Sequence, residues 1–261
     1  MLFLTALFIA ANIAGDCEAP AGTIYHMGEE VTADEMIETL EMVDIVFIGE
    51  KHDDPAAHAW ELYIWNRLLE TGRSLALEMF ETDVQPVLDQ YLAGGITDEE
   101  FLEGSRPWSN YSEDYAPMVE LARERGAGVI AANVPRSYAA AVARGGWEAI
   151  EEEDFFQALS IDSSSALYRE RFLATMEELG GQMHAMPMSP MNMYRAQLLK
   201  DAVMAYSVEG VSSVFVCGSF HSDYRSGIPD QLPSGTDFLT VKILAPGEPM
   251  DMEAADFLIV P

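Results

Sequence analysis

Five stretches of the chain are apolar runs: "VDIVFIG" (43–49), "SLALEMF" (74–80), "AGVIAANV" (127–134), "SSVFVCG" (212–218) and "TDFLTVKI" (236–243). The first four show little alternation, the pattern of strands buried on both faces. Between the runs, apolar positions recur at steps of three and four, the period of a helix. Asp54-Pro55 joins an N-cap to a proline at the first helical position and predicts a helix through about Leu69. "YAPMVELARERG" predicts another, stopped by Gly126, and Ser189-Pro190 repeats the cap-plus-proline signal before "MNMYRAQLLKDAVMAYSV". Strands and helices at this spacing predict an α/β fold, a mainly parallel sheet flanked by helices on both faces. From about Gly145 to Pro187 there is no good strand and much acid and methionine, so a helical insertion or lid is expected there. The organisation expected is an apolar leader and linker (1–21), then one α/β domain (22–261) with a Met-rich helical insertion at about 145–190.

Charge narrows the choice of partners. The chain has 261 residues, with 44 Asp plus Glu against 14 Lys plus Arg, a net charge of −30. Such a surface repels phosphate backbones and anionic lipid, so nucleic-acid binding is not expected. The acidic residues are spread along the chain, as on the solvated surface of a protein adapted to high salt. Two cysteines, Cys17 and Cys217, exclude a disulfide framework, and Cys217, inside an apolar run, reads as a buried free thiol. The opening "MLFLTALFIAANIAGDCEAP" has an apolar segment too short to span a membrane. It resembles the h-region of a signal peptide without a basic n-region, which favours export, a mature start between about Gly15 and Gly22, and a periplasmic or surface-facing location.

Chemistry gathers where the strands end. "VFIG" continues to His52 and "VFVCG" to His221, each histidine three residues after a strand-end glycine. In an open α/β sheet, ligands sit beyond the carboxyl ends of the strands, so His52, Glu78, Asn133 and His221 are expected in one cleft, with Arg136 at the same edge. Two turn histidines bonded to loop backbone are the plainer alternative. Glu50 and Glu78, if buried, need cations, histidines or water. His58 shares an inward stripe with Leu62, Trp65 and Leu69, either as a core residue or as part of the site. Tyr194, Gln197, Asp201 and Met204 share one helix face, which would ordinarily meet solvent. Methionines 183, 186, 188, 191 and 193 surround His184, as adaptable packing or as the wall for a flat apolar ligand. Dinucleotide, P-loop, H-E-x-x-H, paired C-x-x-C and G-x-S-x-G motifs are absent.

"IGEKHDDPAAH", "LALEMFETDVQPVLDQYLAGGITDEEF", "YAPMVELARERGAGVIAANVPR", "YRAQLLKDAVMA" and "CGSFHSDYRSGIPDQL" together resemble the ChaN-like haem-binding uptake proteins of the Tiki/TraB superfamily, from about Gly22 to Val241. The resemblance implies a parallel α/β sheet with a smaller helical subdomain, and an exported haem binder of bacterial iron acquisition. It also implies haem held between two protomers of a homodimer through a tyrosine. Carried over by motif, Glu50, His52, His58, Glu78, Asn133, Arg136, Gln197, Asp201 and His221 are its site residues; no tyrosine carries over. Two positions depart from the pattern. Asp16 precedes Cys17, which leaves a lipid anchor open, and "HSDYRSG" lacks a basic residue directly after the histidine. Arg106, Arg136, Arg195 and Arg225 are the cations placed for haem propionates. More distant superfamily members imply the alternative, a metal-dependent hydrolase of esters or peptides using His52, Glu78 and His221 on Mn, Co or Zn. Whichever ligand applies, both turn histidines are expected near solvent, so that replacing either with alanine costs little stability.

Overall fold

The computed structural model describes residues 18–183 and 189–261. Cys17, the apolar leader before it, His184, Met186 and Met188 lie outside the described residues. The strands are β1 (Thr23–His26), β2 (Glu29–Val31), β3 (Ile45–Glu50), β4 (Ser74–Glu81), β5 (Val129–Asn133), β6 (Ser213–Gly218), β7 (Phe238–Ile243) and β8 (Phe257–Val260). They form one sheet in the order β2-β1-β8-β7-β3-β6-β4-β5. From β8 to β5 all neighbours are parallel; β1 pairs antiparallel with both β8 and β2. The five apolar runs are β3 to β7.

Alternation along each strand sends side chains to two cores. Val46, Ile48, Leu75, Leu77, Val214 and Val216 face one, beneath Trp60, Ile64 and Leu68 of the Pro55–Leu68 helix and Met118 and Val119 of the Ala116–Arg125 helix. Ile45, Phe47, Ala76, Phe215 and Cys217 face the other, beneath Met204 and Ala205 of the Pro190–Ser207 helix. Each large apolar side chain sealed in this way contributes roughly 1.5–3 kcal/mol relative to exposure. Cys217 is a buried free thiol.

The local signals set most helix ends. The Asp54 carboxylate accepts from the Ala56 N–H at 2.9 Å, and Gly126 takes φ 68° to stop the second helix. Ser189 differs: its side chain makes no capping bond, and Pro190 alone marks that start. After Gly145 the chain forms short helical turns and then the Ala166–Met183 helix. Tyr168 and Phe172 of that helix pack on Tyr194 and Leu198, with Met176, Met193 and Phe220 beside them. No helix among the described residues is long and apolar enough to cross a membrane.

Candidate functional site

Strands β3 and β6 are neighbours, with Gly49 opposite Cys217 and Glu50 opposite Gly218, so both glycine turns leave the sheet side by side. Close approach is what demands glycine here. A Cβ on Gly49 would stand 2.8 Å from Ser222 Oγ and 3.0 Å from Ser219 Cα. One on Gly218 would stand 3.0 Å from the His52 ring, yet Gly218 has φ −58°, open to any residue.

Glu78, on β4, ties the turns together. It accepts from the Gly218 N–H at 2.8 Å, and its other oxygen lies 3.4 Å from His221 Nε2. On the far side of that ring, Nδ1–H donates to Asp201 Oδ1 at 2.5 Å. The second Asp201 oxygen accepts from the Tyr168 hydroxyl at 2.6 Å, and the Gln197 amide donates to the Tyr168 oxygen at 3.3 Å. Burial disfavours charge on His221, but Glu78 and Asp201 outweigh it and hold the pKa up at about 10. Burial likewise opposes charge on Glu78; the His221 and His52 cations overcome it and hold the pKa down at about 2. His221 and Glu78 thus form a buried ion pair. His221 is 5% exposed, which corrects the expectation that both turn histidines lie near solvent. His52 does: its side chain is 40% exposed.

A second group lies behind His52. Glu50 Oε1 accepts from His52 Nδ1–H and from the Tyr115 hydroxyl, each at 2.7 Å. His58 Nδ1 lies 3.1 Å from Glu61 Oε2 and 3.6 Å from Glu50 Oε2. Its Nε2 faces the His52 carbonyl at 3.3 Å and Asp114 Oδ2 at 3.5 Å. Asn110 Nδ2 also donates to the His52 carbonyl, at 2.9 Å. Burial works against the His58 proton, but Glu61, Glu50 and Asp114 hold it, raising the pKa to about 9. Burial pushes the Glu61 carboxyl up to about 8, and His58 and Glu50 then pull it in opposite directions. Glu50 Oε2 and Glu61 Oε1 are buried and accept no hydrogen bond.

His52, Glu78 and His221 therefore converge, together with Glu50, His58, Gln197 and Asp201. The Asp201 face of its helix is buried, not solvated; Asp201 is 0% exposed. Asn133 sits at the end of β5, one strand beyond Glu78, and its Oδ1 is buried without a partner. Arg136 is turned outward and pairs with Glu81 at 3.3 Å, the carboxylate that also holds Arg106. Tyr194 packs against Tyr168 and Phe172, with its hydroxyl buried and unpartnered. His184 lies outside the described residues. Sequence reasoning missed Tyr115, Tyr168, Glu61 and Asp114. Glu61 stands three residues after His58, the i+3 step that puts both on one helix face, so that spacing was the available signal.

The family described as "Haem-binding uptake, Tiki superfamily, ChaN" matches residues 36–232, and the chain belongs to it. Among solved structures, the chain is similar to the ChaN of Campylobacter jejuni, described as cofacial haem binding: 20% identity, 92% of this chain and 96% of that chain covered, TM-score 0.75. The type III effector HopBA1 is more distant, at 12% identity, 86% and 90% coverage and TM-score 0.48. So is RRSP, a MARTX toxin effector domain from Vibrio vulnificus, at 16% identity, 88% and 37% coverage and TM-score 0.49. No curated protein matches the chain.

Proposed function

We propose that this member of the haem-binding uptake family is an exported haem binder of bacterial iron acquisition. The observation that carries this reading is the family match across residues 36–232. The two turn histidines differ as iron ligands: both His221 nitrogens face carboxylates, whereas His52 gives only Nδ1–H to Glu50, the orientation that suits ligation through Nε2. An open hollow of about 570 Å³, within the range of cofactor pockets, offers haem a place away from these histidines, although Glu253 and Asp256 also line it. Met27, Leu167 and Met252 give it apolar walls, Tyr224 a phenol and Arg225 a guanidinium. Haem, when bound, supplies a ferric iron that an anionic phenolate suits. Tyr224 has an unusual backbone for so bulky a residue, φ 60°, and Arg225 follows at φ 56°. The Tyr224 hydroxyl donates to Asp251 at 2.7 Å, and Arg225 pairs with Asp256 at 2.5 Å. The bond to Asp251 holds the Tyr224 pKa above its ordinary value, so Tyr224 would act as the iron ligand by giving up that bond, and Arg225 would share its charge between a propionate and Asp256. A haem titration followed by absorbance should give a strong Soret band with saturable stoichiometry, and Tyr224→Phe should weaken binding at least tenfold. Unchanged affinity in Tyr224→Phe rejects this hollow as the site; no saturable binding by the wild-type chain rejects the haem reading. Sedimentation with and without haem tests the expected homodimer.

One observation favours a second reading. Glu78 lies between the two turns, bonded to the Gly218 N–H and against the His221 ring, and its ionised carboxylate is suited to holding a metal ion or orienting a water. Hydrolysis of ester or peptide probes, abolished in Glu78→Gln, would support it; inactivity across Mn, Co and Zn would dismiss it.

A further inference from the structure

The group behind His52 has a composition and a deficit that the haem reading does not use. Glu50, His58 and Glu61 are all buried, and one donor atom from each lies within 4.8 Å of the others. Two of their carboxylate oxygens, Glu50 Oε2 and Glu61 Oε1, accept no hydrogen bond, although the residues are 2% and 0% exposed. Buried carboxylate oxygens without donors are costly and ask for a cation.

We propose that Glu50, His58 and Glu61 hold one divalent first-row metal ion behind the first histidine turn. The spacing supports it. Tetrahedral coordination at about 2.0–2.1 Å puts neighbouring ligand atoms about 3.3 Å apart. His58 Nδ1 stands 3.1 Å from Glu61 Oε2, whose sister oxygen Oε1 is the one without a donor, and 3.6 Å from Glu50 Oε2, on either side of that figure. The surroundings also match a metal-binding histidine, whose second nitrogen donates to a carbonyl or carboxylate and so fixes the ring. His58 Nε2 faces the His52 carbonyl and Asp114 Oδ2. Around Glu50, the His52 and Tyr115 donors occupy Oε1 and leave Oε2 turned to His58. Asp114, with 22% of its side chain exposed, puts the Nε2 side of the ring nearest to solvent. Two carboxylates and one imidazole are a mixed set that suits Zn²⁺, Mn²⁺ or Fe²⁺ over Ca²⁺ or Mg²⁺, which prefer oxygen alone. The ion would displace two protons, the one on His58 Nδ1 and the one that burial keeps on Glu61, and its two charges would then answer the two carboxylates.

The test is metal binding by the whole chain after chelator treatment and desalting, titrated separately with Zn²⁺, Mn²⁺ and Co²⁺. About 1 M NaCl in the buffer suppresses the loose cation cloud of an acidic surface, because screening then acts within about 3 Å. The expected result is one ion per chain, with a raised thermal midpoint of the wild-type protein. His58→Ala and Glu61→Gln should weaken the ion at least a hundredfold, and Asp114→Asn about tenfold through loss of the outer partner. Circular dichroism checks that each variant is folded. The wild-type titration keeps the test decisive if a variant is not. Binding that disappears in 1 M NaCl, or that survives His58→Ala but is lost in Glu78→Gln, overturns the proposal.

Discussion

Around His221 every facing acidic oxygen has a donor; around His58 two do not. Glu78 takes the Gly218 N–H and the His221 ring, and Asp201 takes the ring and the Tyr168 hydroxyl. Glu50 Oε2 and Glu61 Oε1 stand without donors beside the other imidazole. Both histidines are buried among carboxylates and both are pushed toward their charged forms, to about 10 and about 9. The difference lies in the second partners. A backbone N–H and a phenol complete the first group, whereas in the second Tyr115 and His52 both donate to Glu50 Oε1 and leave Glu50 Oε2 and Glu61 Oε1 without donors. A completed buried network fixes one arrangement, and an incomplete one leaves a binding role open.

The largest effect should come from breaking the completed group. In Asp201→Ala the buried imidazolium loses its shortest contact and the Tyr168 hydroxyl loses its acceptor. Removing one member of a buried pair costs roughly 3–5 kcal/mol, readable as a shift in a urea unfolding curve. A loss under about 1 kcal/mol would mean the Asp201 network holds nothing in place.

Next comes pH. The raised pKa of His221, about 10 against an ordinary 6.5, gives stability that is full below pH 6.5 and lost as pH climbs toward 10; His58, at about 9, behaves alike. Glu78, held at about 2 against 4.5, gives stability that is full above 4.5 and lost as pH falls toward 2. Glu61 is a carboxyl raised to about 8, so its contribution is lost as pH rises from 4.5. Stability should therefore peak between about pH 4.5 and 6.5, toward the lower end. Thermal midpoints that keep rising from pH 7 to 9 would contradict this assignment of charges.

A smaller effect is expected at the exposed ring. His52→Ala removes one hydrogen bond to Glu50 from a side chain that is 40% exposed, a loss of about 0.5–1.5 kcal/mol. The same change at His221 should cost several times more, because there Glu78 and Asp201 would lose their shared cation. Equal costs would erase the distinction between the two turns.

What was legible in the sequence follows the same division. The five core strands announce themselves because strands covered on both faces need apolar residues throughout. The others, four, three and four residues long, are too short to show a period. His52, Glu78 and His221 were legible because a strand's end fixes the edge where its next residues emerge. Glu61 offered only its i+3 spacing from His58, a weak signal because the Pro55–Leu68 helix is enclosed between the sheet and its helical neighbours. Ala57, Trp60, Glu61 and Ile64 are all buried there, so no simple stripe divides inside from outside. Tyr168 comes from the insertion, and its contact with Asp201 spans 33 residues that no local pattern links.

The smallest expected effect is the sharpest test of the comparison. Glu61→Gln replaces a buried carboxyl with an amide of nearly the same shape. Burial already raises the Glu61 pKa to about 8, so near neutral pH the metal-free chain holds that carboxyl largely protonated. The substitution then removes little charge, and the imidazolium keeps Glu50 at 3.6 Å and Asp114 at 3.5 Å. Unfolding in the presence of chelator should change by less than about 1 kcal/mol, within the net worth of a single hydrogen bond. With Zn²⁺ added, the wild-type chain should gain stability and the variant should not. A loss of 3 kcal/mol or more in chelator would show that Glu61 completes the His58 group unaided, as Asp201 completes that of His221.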